Sequence, residues 1–177
     1  MTVRFCQEAP AEVAEWTTKF FDLEYIHHVA TLIKKLFGID SKIATSNSGY
    51  YVVYFGSTET VRWLLGMGLV FNKVKSQVNA PDWILSQKEY MKFFLKGFFD
   101  TDGSVYKLRF GIQLSFTNRS IPLLNSLRRC LFVLGFKPSI ISCYHIYLTR
   151  RDDVSKFFRE VGPANKKHRE RFRLFHM

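Results

Sequence analysis

The sequence predicts an α/β fold of the α+β kind, with two pseudo-symmetric halves that each carry an antiparallel sheet. The first reason is the order of elements. Short runs rich in β-branched and aromatic residues alternate with helical stretches as strand, strand, helix, strand, strand, helix, and the order occurs twice. The second is spacing. Phe20 and Asp22 stand 96 residues before Phe116 and Asn118, and Gly38 and Ile43 stand 97 before Gly135 and Ile140. The third is the lack of a low-complexity linker, which makes residues 1–85 and 86–177 subdomains of one compact domain.

In the first half, residues 2–7 and 15–21 read as strands around a turn containing Pro10. Asp22 is placed to cap a helix whose apolar positions Ile26, Val29, Ile33 and Leu36 keep helical spacing, and Gly38 is placed to end it. Residues 42–45 and 50–55 form a strand pair around the turn Ser46–Gly49, and a short helix follows over 59–66. A basic loop over 72–79 leads to Pro81, a helix-start signal.

The second half runs in parallel. Strands are expected over 105–110 and 113–117. A helix over 121–134 has Leu124, Leu127 and Leu131 on one face and Gly135 at its end. Strands follow over 139–142 and 145–149, then a helix over 152–160 and a basic helical tail over 164–175. Alternation sets Tyr106, Leu108 and Phe110 against Lys107 and Arg109, and Ile112, Leu114 and Phe116 against Gln113, Ser115 and Thr117. The apolar sets are expected under the helices and the polar sets on an open face.

The two halves are joined by a helix with distinctive ends. Ser86 and Glu89 have the spacing of a capping box. Gly97 lies in the helix interior, where Gly costs roughly 1 kcal/mol relative to Ala. That placement suits a face approached closely by another backbone. Asp100 and Asp102 fall at the C-terminal end, where the helix dipole disfavours carboxylates. A simple turn ending at Gly103 would explain them, and so would a hard divalent cation held by carboxylate and carbonyl oxygens.

Composition narrows the partner. The chain has 177 residues, 47% of them hydrophobic, 18 of them Phe, and a formal net charge of +11. So basic a chain suits an anionic partner, above all nucleic acid. Cys6, Cys130 and Cys143 have no zinc-ligand spacing, and an odd count suits reduced thiols in an intracellular protein, cytoplasmic or organellar. No apolar run reaches transmembrane length and the start lacks a signal-peptide core, so no membrane partner is expected. The adjacent pair His27-His28 diverges in direction on a helix, and His145, His168 and His176 have no ligand spacing either.

The stretch FLKGFFDTDG, residues 94–103, followed at once by a strand, resembles the signature helix of the LAGLIDADG homing endonucleases. The resemblance extends to FDLEYIHHVATLIKKLFG, the helix after a first strand pair, and to FNKVKSQVNAPDWI and VGPANKKHRERF, the lysine-bearing loops of two halves. It implies two αββαββα-type repeats with saddle-shaped antiparallel sheets. It also implies a Mg²⁺- or Mn²⁺-dependent endonuclease acting on double-stranded DNA, of the kind tied to intron or intein mobility. By it Asp102 is the metal ligand, with the Thr101 carbonyl beside it, while Asp100 caps and positions the helix end. Lys75 and Lys167 are implied as transition-state cations, with Lys73 and Lys166 as rivals, against plain phosphate contact as the alternative. Arg4, Thr17, Lys19, Lys107, Arg109, Gln113, Ser115 and Thr117 are implied DNA readers.

The chain departs from the two-repeat pattern in one respect. By the repeat, a first signature helix would end at about residue 1, so one helix and one carboxylate are expected to be missing. Self-association through residues 86–103 would bring two copies of Asp102 together. A non-cleaving nucleic-acid binder, an intron RNA maturase or a DNA-binding regulator, is the competing function. A domain from an intein is a third, although no splicing-junction residues such as a terminal His-Asn are present.

Overall fold

A computed structural model describes residues 15–20, 22–45, 49–70 and 76–176, without the side chains of 15–20 and 176. The expected strand over 2–7 with Arg4, Cys6, most of the Ser46–Gly49 turn, and Lys73 and Lys75 lie outside these residues. The chain divides into two compact units, Met1–Ser76 and Gln77–Met177.

In the first unit, β1 (Glu15–Phe20), β2 (Lys42–Thr45) and β3 (Tyr51–Gly56) form an antiparallel sheet in the order β1-β3-β2. Helix α1 (Leu23–Phe37) starts where expected, because the Asp22 carboxylate accepts the Tyr25 N–H at 3.2 Å. It ends at Gly38, whose φ of 70° puts the chain in the left-handed region. Ile26 and Ile33 pack with Val53 and Phe55 as the core. Leu36 is 69% exposed, and Phe37 takes the place expected for it against the sheet. Helix α2 (Thr58–Gly66) is capped by Ser57, which accepts from Thr60 N–H.

The second unit opens with the short helix α3 (Asp82–Leu85), begun by Pro81, and the longer helix α4 (Lys88–Asp102). The expected capping box is not formed. Gln87, with no side-chain cap bond, precedes α4, while the Ser86 hydroxyl donates back to the Trp83 carbonyl at 2.7 Å. The reason is that Ser86 is the C-cap of α3, whose last carbonyls need donors. Glu89 pairs with Lys92 at 2.9 Å instead. Ahead of both helices, the Ser120 hydroxyl donates to the Val78 carbonyl at 2.6 Å and that of Ser126 to the Asn79 side chain, so residues 78–79 pack in this unit.

Strands β4 (Gly103–Leu108), β5 (Gly111–Thr117) and β6 (His145–Leu148) form the second antiparallel sheet, in that order. Helix α5 (Ile121–Val133) is capped by Ser120, α6 (Arg151–Glu160) follows β6, and α7 (Lys166–His176) ends the unit. Leu124, Leu127 and Leu131 are fully buried, as their spacing requires. They pack with Leu95, Phe99, Leu114, Phe116 and Phe157 in the core.

The expected strand over 139–142 is reduced to one bridge, Ser142 with His145. Ser139 explains this. Its N–H donates to the Tyr147 carbonyl, but its hydroxyl, not its carbonyl, accepts the Tyr147 N–H, and its carbonyl is occupied by Arg128 Nε at 2.9 Å. The ladder cannot propagate past a residue whose carbonyl is engaged elsewhere.

Candidate nucleic-acid interface and acidic site

The sheet of the second unit has a covered face and an open one, and the register sorts the residues between them. Val105 pairs with Leu114, and Leu114 with Leu148; all three are buried. The alternate pairs Ser104 with Ser115, Tyr106 with Gln113, Ser115 with Tyr147 and Thr117 with His145 therefore lie on the other face. Gln113, Ser115 and Thr117 fall on the open face as expected. In β4 the two faces are the reverse of those expected. Tyr106 and Leu108, 49% and 43% exposed, share the open face, whereas Lys107 pairs with Ile112 on the covered side at the exposed strand end. Arg109 lies beyond the strand in the turn, its guanidinium 4.9 Å from the Phe110 ring centroid. The turn sets this phase: β4 ends at Leu108 and Phe110 is 89% exposed, so alternation runs from Val105.

Ser115 itself is 1% exposed, so its hydroxyl is not available to a ligand. It faces His145 Nδ1 at 3.3 Å, and Thr117 Oγ1 approaches the same nitrogen at 2.8 Å. In the first unit, Thr17 pairs with Tyr54 and Lys19 with Val52, strand positions that alternate with the buried Val53 and Phe55.

The two carboxylates at the end of α4 have different surroundings. Asp100 is 5% exposed and accepts two backbone N–H groups, Ala164 at 3.1 Å and Asn165 at 3.0 Å. Its carbonyl accepts from Asn165 Nδ2 at 3.2 Å. The Asn165 side-chain oxygen in turn accepts the Lys167 N–H at 3.1 Å, which makes Asn165 the cap of α7. Asp100 thus ties the start of α7 to the end of α4. Asp102 is only half-buried, and its Oδ2 accepts from Asn118 Nδ2 at 3.3 Å. Asn118 is held in place: its oxygen accepts the Ser120 N–H at 2.9 Å and its own N–H donates to the Tyr144 carbonyl at 3.1 Å.

Around these acids, the Thr101 side chain is exposed, with its hydroxyl turned back on the Gly97 and Phe98 carbonyls at 3.2 Å. Lys166 and Lys167 are both exposed at the start of α7. Lys166 lies 3.9 Å from Glu170, while Lys167 makes no ion pair among the described residues. His168, one residue on, is a core histidine: 4% exposed, its ring 4.8 Å from that of Phe99, and its pKa lowered to about 4 by burial. A Cβ at Gly97 would meet nothing within 4 Å among the described residues, and Phe93 on the same helix is 68% exposed. No cluster of three or more His, Cys, Asp or Glu forms among the described residues. The donor set fits a cation of another kind. A small hard cation binds through one or two carboxylates and completes its shell with water and phosphate oxygens, and an accessible Asp102 suits that mode.

The second unit thus carries a helix that ends in a half-buried carboxylate at the start of β4, an outer strand of an open sheet face. A family model described as a LAGLIDADG-like domain matches residues 89–162. The match falls within the second unit and makes that unit similar to a LAGLIDADG-like domain. The fold matches extend over most of the chain. I-DmoI in complex with DNA and Ca is 18% identical with a TM-score of 0.63, over 93% of this chain and 84% of that one. The N-terminal LAGLIDADG domain of DUF199/WhiA is 15% identical with a TM-score of 0.59, over 93% and 78%. The meganuclease I-SmaMI bound to uncleavable DNA is 15% identical with a TM-score of 0.54, over 90% and 77%. At these identities the likeness is one of fold. No curated protein sequence matches the chain. No helix among the described residues is long and apolar enough to cross a membrane.

Asn118, His145 and the Asp100–Asn165 tie escape sequence reasoning. Each depends on a partner 16 to 65 residues away, with no local spacing to betray it.

Proposed function

We propose that the chain is a site-specific DNA endonuclease that hydrolyses phosphodiesters of double-stranded DNA with Mg²⁺ or Mn²⁺. The observation that carries this is the division of labour at the end of α4. Asp100 is buried and engaged by backbone amides, while Asp102 is left at the accessible edge beside the open face. Asp102, with the Thr101 carbonyl next to it, would hold the cation, which supplies an activated water and a Lewis acid for the phosphate. Asn118 orients the carboxylate. Lys167, presented from a capped helix start that Asp100 secures, offsets the charge that develops on the phosphate. Lys75 has the corresponding role in the first half. Gln113, Thr117 and Tyr106 present the polar face to a groove, with Thr17 and Lys19 their counterparts and Arg4, Lys107 and Arg109 as flanking phosphate contacts. The +11 charge supports an extended polyanion as partner.

The exposed side of α4, with Tyr90, Phe93 and Gly97, suits a second signature helix, supplied by another copy of this chain. That contact would provide the second carboxylate.

The test is cleavage of a plasmid library carrying randomised sites, by wild type and Asp102→Asn, with Mg²⁺ and with chelator. Metal-dependent cutting or nicking, lost in Asp102→Asn, is expected. Tight binding without any cutting would replace the endonuclease with a non-cleaving binder of DNA or intron RNA, a role open to the same scaffold.

A further inference from the structure

We propose that His145 is a base-reading residue of the second sheet, held in one orientation by Ser115 and Thr117. The inference rests on the DNA-binding reading above and adds a specificity determinant to it. The β5–β6 register puts His145 opposite Thr117 and Tyr147 opposite Ser115, all on the open face. The two β5 hydroxyls converge on a single ring nitrogen, Nδ1, at 2.8 Å and 3.3 Å. The ring also lies parallel to that of Tyr147, with centroids 5.7 Å apart and planes 9° apart. Hydroxyls on one edge and an aromatic face on one side leave the Nε2 edge, across the ring from Nδ1, for an external partner.

The tautomer that the hydroxyls engage decides the chemistry of that edge. In the tautomer whose Nδ1 accepts a hydrogen bond from the Thr117 hydroxyl, Nε2 carries the ring hydrogen and donates. The matching acceptor in the major groove is a purine N7, reinforced at guanine by O6. Cross-strand packing alone would be met by apolar side chains here. A hydroxyl as buried as that of Ser115, aimed at an imidazole on an otherwise open face, instead restricts ring rotation. A ring fixed beforehand loses little freedom when a base arrives, which favours discrimination. Ser115 is thus a positioning residue for His145 and not itself a DNA contact.

The experiment is binding-site selection from randomised duplexes, run in parallel with wild type, His145→Ala, Thr117→Val and Gln113→Ala, each checked for an unchanged thermal unfolding profile. Wild type is expected to enrich a defined motif. His145→Ala should lose the preference for a purine at one position, with about tenfold weaker binding to the wild-type site and the other positions unchanged. Thr117→Val should blur that same position, and Gln113→Ala a different one. A His145→Ala motif identical to wild type, with affinity within about twofold, overturns the proposal, as does an even loss across all positions. If wild type enriches no motif, the DNA-binding reading itself fails and this inference falls with it.

Discussion

Asp100 and Asp102 stand two residues apart on one helix, yet replacing each by Asn should have opposite signatures. Asp100 accepts two backbone N–H groups in a buried setting. In Asp100→Asn the amide oxygen can accept one of them, but the NH₂ group then faces the other, leaving a buried donor against a donor. The penalty for that loss is about 2–3 kcal/mol. For a unit of this size each 1 kcal/mol lowers Tm by roughly 4–8 °C, so a fall on the order of 10–20 °C is expected. Asp102→Asn keeps an oxygen for Asn118 at a half-exposed position and should cost under about 1 kcal/mol, as surface changes do. Thermal unfolding followed by far-ultraviolet circular dichroism separates the two. If Asp100→Asn melts within roughly 2 °C of wild type, or Asp102→Asn falls as far, the assignment of a structural acid and a functional acid is refuted.

Three further outcomes follow from the second unit. His168 has a folded pKa of about 4 against an ordinary 6.5, so between those values the unfolded chain binds the extra proton. Stability should therefore be full above pH 6.5 and fall as the pH drops toward 4, by about 2 kcal/mol at pH 5; denaturant titrations of wild type and His168→Phe should show the slope reduced in the variant. Phe99 is fully buried against Phe116, Phe157 and His168, so Phe99→Ala should cost about 3–5 kcal/mol by chemical denaturation. On the proposed endonuclease reading, in which Asp102 holds the cation, Asn118→Ala should lower metal-dependent cleavage about tenfold or more, while DNA affinity in metal-free gel shifts changes little.

What was legible in the sequence is what short-range physics decides. The Asp22 cap, the Gly38 stop and the Leu124, Leu127 and Leu131 stripe each depend on residues within a turn or two, and each formed as read. The failures share another cause. Ser86 could cap α4 only if its hydroxyl were not already committed to α3, and the phase of β4 depended on where a hairpin turned. Ser139 looked like a strand residue until Arg128, eleven residues away, occupied its carbonyl.

The signature helix shows the same divide within three residues. Its spacing announces two carboxylates at a helix end, and apart from the family resemblance nothing local distinguishes them. The distinction comes from Ala164 and Asn165, more than sixty residues on, whose amides reach Asp100 and not Asp102. Burial of the first acid fixes the start of α7 and so the base of Lys167; Asn118 then holds the second acid at the accessible edge. A loop that supplied no amides would leave two like charges competing at the negative end of a helix dipole. The chemistry available at Asp102 is therefore a property of the whole second unit, of which the ten-residue motif is only the visible part.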